Sequence, residues 1–283
     1  LHRFFCINAY KNASLHIKIT YTKTFSRCKG KTMFLKRYVP ILILAVLLAS
    51  CSARTGMSLD QYEQLVPGIS YETAALIAGG DGEMLPDTSG GHRPAGYYWH
   101  GFGENESGAI LKFEDGLLTE KSQQGLASRQ KPLHLEVTYD AFIDSFLQTV
   151  IFSAGGAGTG DVSLDSYDYE PRSNGEALRI YTVWQSPEGG FVRLQALCSK
   201  DEYVVCVETV YDSIAGNPEA DAVYAKCASY ALQAYLMAKY SLDVMDRDLA
   251  VLYDSMLSQG GLGFATITES QNGAVSTSRI AAG

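Results

Sequence analysis

The 283-residue chain carries 31 Asp/Glu against 23 Lys/Arg, and nine of the basic side chains, with no acidic one, fall in residues 1–50. Residues 51–283 therefore hold 14 basic and 31 acidic side chains, a formal charge of −17 over 233 residues. So acidic a body argues against nucleic acid as a partner and against electrostatic docking on anionic lipid headgroups.

Residues 1–32 begin at Leu1, contain no Asp or Glu, and show neither periodicity nor helix caps. They are expected to be a mis-assigned upstream extension, with Met33 as the start. Met33–Cys51 then has the charge order of a secretory signal peptide. Lys36 and Arg37 precede an apolar run over Val39–Leu48, broken only by Pro40, and Leu48-Ala49-Ser50-Cys51 closes it with small residues. The run is shorter than the ~20 residues a spanning helix needs. The final tetrapeptide resembles the lipobox of bacterial lipoproteins, in which the cysteine thiol is diacylglycerated and becomes the new N-terminus. That resemblance implies residues 33–50 as signal peptide and Cys51 as the lipidation site. It also implies a location on the extracytoplasmic side of the cell membrane, with membrane lipid as a partner through Cys51. A single acyl chain anchors weakly, so stable anchoring calls for the two or three chains that lipoproteins carry.

Residues 51–56 are a short polar tether. Ser58-Leu-Asp-Gln61 predicts a capping box opening a helix with Leu59, Tyr62, Leu65 and Val66 on one face, stopped by Pro67-Gly68. Ser70 predicts the cap of a second helix, Tyr71–Ala78, ended by Gly79-Gly80. After a glycine-rich loop over Asp81–Gly96 come three strands, Tyr97–His100, Gly108–Phe113 and Leu117–Ser122. Glu114-Asp115-Gly116 makes the tight turn between the last two.

Leu59-Asp-Gln-Tyr62, Val66-Pro-Gly-Ile-Ser-Tyr-Glu72, Ile77-Ala-Gly-Gly80, Tyr98-Trp99, Phe113-Glu-Asp-Gly116 and Lys121-Ser-Gln-Gln-Gly-Leu126 follow one another in order. Together they resemble the domain of small envelope lipoproteins with the beta-lactamase-inhibitory-protein-like fold, of the SmpA/OmlA type. The resemblance covers residues 57–126, with Ile69 where the family commonly has methionine. It implies two helices on one face of a small antiparallel sheet, and action by binding other proteins.

Residues 127–137 form a linker, and 138–283 a second α+β domain for which no family is recognised. Thr138 predicts the cap of a helix over Tyr139–Val150, and Ser153–Gly160 is a glycine loop. Strands are expected over Glu176–Trp184, Gly190–Cys198 and Tyr203–Tyr211. Asn217, with Pro218 behind it, opens a helix to about Lys239 that is apolar nearly all round yet interrupted by Lys226 and Gln233, so no second membrane anchor is expected. Ser241 is expected to start another helix, with Leu242, Met245, Leu249, Leu252 and Met256 on its stripe, ended by Gly260-Gly261. A hairpin around Asn272-Gly273 closes the chain. The fold class is α+β, in two domains.

Signals of chemistry are sparse. Cys198, Cys206 and Cys227 remain after processing, and a turn at Ser199–Glu202 would place Cys198 and Cys206 on opposite sheet faces, which predicts free, buried thiols. His92, His100 and His134 are not spaced as metal ligands. Ser128-x-x-Lys131 sits beside Pro132 and lacks the companion Lys-Thr-Gly. Gly156-Ala-Gly158-Thr-Gly160 follows a helix, so a hinge is expected in place of a phosphate loop. Asp161, Ser163, Asp165 and Asp168 alternate like a calcium loop without its glycine and terminal glutamate; a solvated acidic strand edge is expected.

No catalytic residue, metal or cofactor is therefore called for. The remaining candidate is a surface. Strand alternation puts Tyr98, His100, Ile110 and Lys112 on the exposed face of the first sheet, which the resembling family uses for partners. The expected function is a non-catalytic protein-binding or scaffolding module with an envelope protein as partner. The alternative is an envelope enzyme or small-ligand receptor with its site in the C-terminal domain, where Asp161, Asp165 and Asp168 are the visible acids.

Overall fold

The computed structural model describes residues 56–86, 96–102, 107–154, 162, 164, 166–212, 217–272 and 274–282. The signal stretch, Cys51, His92, the glycine loop at Gly156–Gly160, Asp161 and Asp165 lie outside them. The described residues are α+β, with five helices and two antiparallel sheets of four and seven strands. None of these helices is long and apolar enough to cross a membrane.

Helix α1 (Leu59–Gln64) opens on the expected capping box. The Gln61 amide donates to Ser58 Oγ at 3.2 Å, and the Ser58 amide donates to Gln61 Oε1 at 3.0 Å. Helix α2 (Tyr71–Ala78) is capped by Ser70 and ends on Gly79 at φ 84°, the left-handed conformation that favours glycine.

The first sheet runs β1 (Glu83–Leu85), β2 (Gly96–His100), β3 (Gly108–Glu114), β4 (Leu117–Gln124), in that order. β1 falls inside the stretch expected to be loop. Three residues at a sheet edge are too few to show an alternation. Asp115 and Gly116, both at positive φ, make the tight β3–β4 turn. The helix-facing side buries Trp99, Ala109, Leu111 and Leu118. The Trp99 indole N–H donates to Gly80 O at 2.7 Å, and Gly82 lies so close to the ring that a Cβ there would be 2.7 Å from it.

Helix α3 (Tyr139–Ser153), capped by Thr138, leads to β5 (Ser166–Pro171), β6 (Ala177–Gln185), β7 (Phe191–Cys198) and β8 (Val204–Asp212). Helix α4 (Pro218–Tyr240) begins at the Asn217 cap. Helix α5 (Arg247–Gln259) and strands β9 (Gly261–Leu262), β10 (Ala265–Asn272) and β11 (Val275–Ala282) complete the chain. The expected C-terminal hairpin exists, and β11 pairs with β8, giving the order β5-β6-β7-β8-β11-β10-β9. Strand β5, an edge strand with every residue exposed, carries Asp168. Asp168 is therefore on a solvated strand edge, and the rest of the expected acidic edge, Asp161, Ser163 and Asp165, lies outside the described residues.

Ser241 does not start a helix. It is the last cap of α4, at φ 52°, and the Leu242 amide donates back to Met237 O at 3.0 Å. The cap of α5 is Asp246, whose side chain accepts from the Asp248 amide at 3.0 Å. Serine and aspartate are equally good caps, so the local signal was ambiguous. The three thiols are free and buried. Cys206 pairs with Leu197, on the face opposite Cys198, and a bulge between Leu197 and Cys198 sets Cys198 against Val204.

From residue 56 onward the described chain forms one compact unit with a continuous apolar core. Two buried polar bridges cross it. Asp248 accepts the Ser70 hydroxyl at 2.6 Å and the Ser70 amide at 3.0 Å. The Tyr240 hydroxyl donates to Gln64 Oε1 at 2.8 Å.

Candidate functional site

Register decides which side chains share the exposed face of the first sheet. Tyr98 pairs with Glu83 on β1 and Ile110 on β3, Ile110 pairs with Ser122, His100 with Gly108, and Lys112 with Glu120. The structure therefore places Tyr98, His100, Ile110 and Lys112 together on the side away from α1 and α2. His100, Ile110 and Lys112 are exposed and Tyr98 is half-buried, while their alternating neighbours Trp99, Ala109 and Leu111 are buried.

Most polar groups on this face already have partners. His100 Nε2 lies 3.1 Å from Glu83 Oε1, and Lys112 Nζ donates to Glu120 Oε2 at 2.5 Å. Both pairs are exposed and contribute little to stability. The Tyr98 hydroxyl donates to Ser107 O at 3.2 Å, and its ring meets His100 edge-on with centroids 5.0 Å apart. The same ring covers Gly108 so closely that a Cβ at 108 would lie 2.3 Å from the hydroxyl oxygen. Tyr98 thus shields a glycine in the strand as well as presenting an edge outward. Ile110 is the freer contact, and Lys112 is exposed but held by Glu120. Such a face can recognise a surface by shape, one aliphatic side chain and paired polar groups.

Glu83 and Glu120 complete this face and were not singled out from the sequence. Counting outward from the Asp115-Gly116 turn would set Lys112 against Thr119, and only the bulge between Lys112 and Phe113 brings Glu120 opposite it, whereas Glu83 sits on the strand too short to read. At the sheet's other edge, Lys121 Nζ donates to Tyr62 O at 2.9 Å and lies 4.5 Å over the Tyr62 ring. Burial lowers its pKa.

In the C-terminal half, Asp168 is on the exposed edge strand. His134 is occupied structurally, its Nδ1 accepting the Glu136 amide at 3.0 Å and its ring stacked on Tyr203 at 4.5 Å. A polar cluster that the sequence did not signal surrounds Arg179, whose guanidinium lies 3.9 Å over the Tyr139 ring and pairs with Glu202. The Tyr139 hydroxyl shares a hydrogen bond with the Tyr181 hydroxyl, and burial, followed by that bond, pushes the Tyr139 pKa far up. Nearby, burial raises the Cys198 thiol to about 11 despite the opposing charge of Arg179. These raised values keep both groups protonated, so neither is a ready nucleophile at neutral pH. Among the described residues no group of three His, Cys, Asp or Glu side chains could hold a metal ion.

No protein-family model, curated protein or solved structure matches this chain.

Proposed function

We propose that this chain is a lipoprotein of the cell envelope, held on the extracytoplasmic side of the membrane by acyl chains on Cys51, and that it works as a non-catalytic binding or scaffolding module. The observation that carries the proposal is the stretch Met33–Cys51, with its basic start, short apolar core and small residues before a cysteine. The likeness of residues 57–126 to envelope lipoproteins that act by binding proteins supports it. The contact surface is the open face of the first sheet, with Ile110 and Lys112 at its centre and Tyr98 and His100 beside them. Support for that choice comes from their placement on one sheet face, where His100, Ile110 and Lys112 are exposed.

The test has two parts. Cells given an alkyne analogue of palmitate should label the protein, and Cys51→Ala should abolish both the label and membrane fractionation. An unlabelled chain that partitions into the aqueous fraction would refute the anchor. Crosslinked capture from the envelope should then return one dominant partner. Ile110→Asp with Lys112→Glu should lose that partner while circular dichroism stays unchanged, because both side chains are exposed. Undiminished capture by the folded double variant would refute this surface. Tyr98 is left intact because its removal would also uncover Gly108.

A further inference from the structure

A cleft of about 230 Å³ opens between α4, α5 and the β10–β11 hairpin. Tyr224 and Ala228 of α4 form one wall, Tyr253 and Leu257 of α5 the other, and Ile267 and Glu269 of β10 lie along the sheet side. Alanine at 228 leaves space that a longer side chain would fill. The Ser229 and Tyr253 hydroxyls are hydrogen-bonded at 2.9 Å across the two helices and set a polar end wall. Leu257 is half exposed at 51 %, and Ile267 is half-buried, so the cleft presents apolar surface to solvent. It is smaller than the roughly 300–1,000 Å³ typical of drug-sized sites, and suits a compact molecule.

Glu269 is the charged side chain among those lining the cleft. Asp221, exposed, lies one turn before Ala225 and two before Ala228 on the same face of α4. Arg279, beside the lining residue Ser278, projects from the opposite face of the sheet, where it pairs with Glu208 at 3.4 Å. The Tyr224 hydroxyl is pushed up, first by burial and then by the negative charge of Glu269, so that charge is felt inside the cleft. An anion would face this carboxylate unfavourably, and a divalent metal would find one carboxylate where it needs several oxygen ligands. A cation with an apolar body meets a carboxylate, aromatic rings and aliphatic walls together.

We propose that the cleft binds a small organic cation, an amine whose apolar body lies against Leu257 and Ile267 and whose ammonium group faces Glu269 and the Tyr224 ring. The site is separate from the face of the first sheet. It gives the C-terminal half a ligand site at residues other than the acids singled out from the sequence.

The test is isothermal titration of the purified full chain with three probes of one shape: 2-phenylethylamine, 2-phenylethanol and 3-phenylpropionate. The amine is expected to bind saturably, the alcohol about three- to tenfold more weakly, and the carboxylate not at all. Glu269→Gln, an exposed substitution that leaves the core untouched, should erase the preference for amine over alcohol. Ala228→Phe should block both probes. Absence of saturable binding of the amine at millimolar concentration would overturn the proposal. So would equal affinity for amine and alcohol, or a preference that survives Glu269→Gln.

Discussion

The bridge between Ser70 and Asp248 links residues 178 positions apart, and its removal has a calculable cost. Asp248 is 3 % exposed and accepts two hydrogen bonds from Ser70, one from the hydroxyl at 2.6 Å and one from the amide at 3.0 Å. Asp248→Ala leaves the amide of half-buried Ser70 without this acceptor, a penalty of about 1–3 kcal/mol. The hydroxyl has a second partner in Thr73 Oγ1 at 3.3 Å, so its loss is smaller. Asp248 also lies in the first turn of α5, where a carboxylate contributes about 0.3–1 kcal/mol against the helix dipole. The expected loss is therefore about 2–4 kcal/mol, a large part of a domain's stability. Ser70→Ala removes one bond to Asp248 and the cap of α2, about 1–3 kcal/mol, while its backbone amide still reaches the carboxylate. The double variant should cost less than the sum, with a coupling of about 1 kcal/mol or more. Asp248→Asn keeps one acceptor for the amide and should recover part of the loss. Urea unfolding followed by tryptophan fluorescence reads the effect. The protein has two tryptophans, Trp99 in the first sheet and Trp184 in the second, so a Trp184→Phe background isolates the first. A loss below about 1 kcal/mol for Asp248→Ala, or additive costs in the double variant, would refute the reasoning.

Two further predictions concern the second half. Ser241 holds a left-handed conformation at φ 52° and is exposed, so Ser241→Gly should relieve steric strain and stabilise the fold by about 0.5–1 kcal/mol, read as a higher urea midpoint; a lower midpoint would count against the strain. Burial raises the Cys198 thiol to about 11 and Cys227 to about 12 from an ordinary 9.0. Above pH 9 the unfolded chain releases protons that the folded one retains, so stability should be insensitive to these thiols below pH 9 and fall between about pH 9 and 11, where a flat urea midpoint would sink the prediction. Cys227→Ala should make the fall shallower, and buried Tyr240, also raised, adds to it with the same sign.

Signals confined to a few consecutive residues were legible. The Ser58–Gln61 capping box, the Gly79 terminus, the Asp115-Gly116 turn and the Asn217-Pro218 helix start all appear where four-residue chemistry places them. Two errors of element share a cause. β1 has three residues and no alternation, and Ser241 and Asp246 are two good caps competing for one helix start. Local preference cannot decide between them. Tertiary contact does, because Leu249, Leu252 and Met256 enter the core while Met245 stays 71 % exposed. The exposed sheet face was readable from alternation alone. The ring of Tyr98 over Gly108 was not, since it depends on the register that sets His100 against Gly108.

The cleft and the polar bridges were illegible for one reason: each is assembled from side chains far apart in sequence. Gln64 shows how such contacts constrain the packing. Its Oε1 accepts the Tyr240 hydroxyl, its Nε2 donates to Asp60 O at 2.8 Å, and Gly263 packs so closely on its side chain that a Cβ there would lie 2.5 Å away. Apolar surfaces alone tolerate sliding, because burial is non-directional. A sliding step here would break the Tyr240–Gln64 and Ser70–Asp248 bonds together and strand buried polar groups at both ends of the contact. The two sheets are therefore held in one arrangement by directional bonds set within a shared apolar core. A glutamine on a helix face and an aspartate in a first turn look, in sequence, like solvated residues, and only their burial in the folded chain reveals that role.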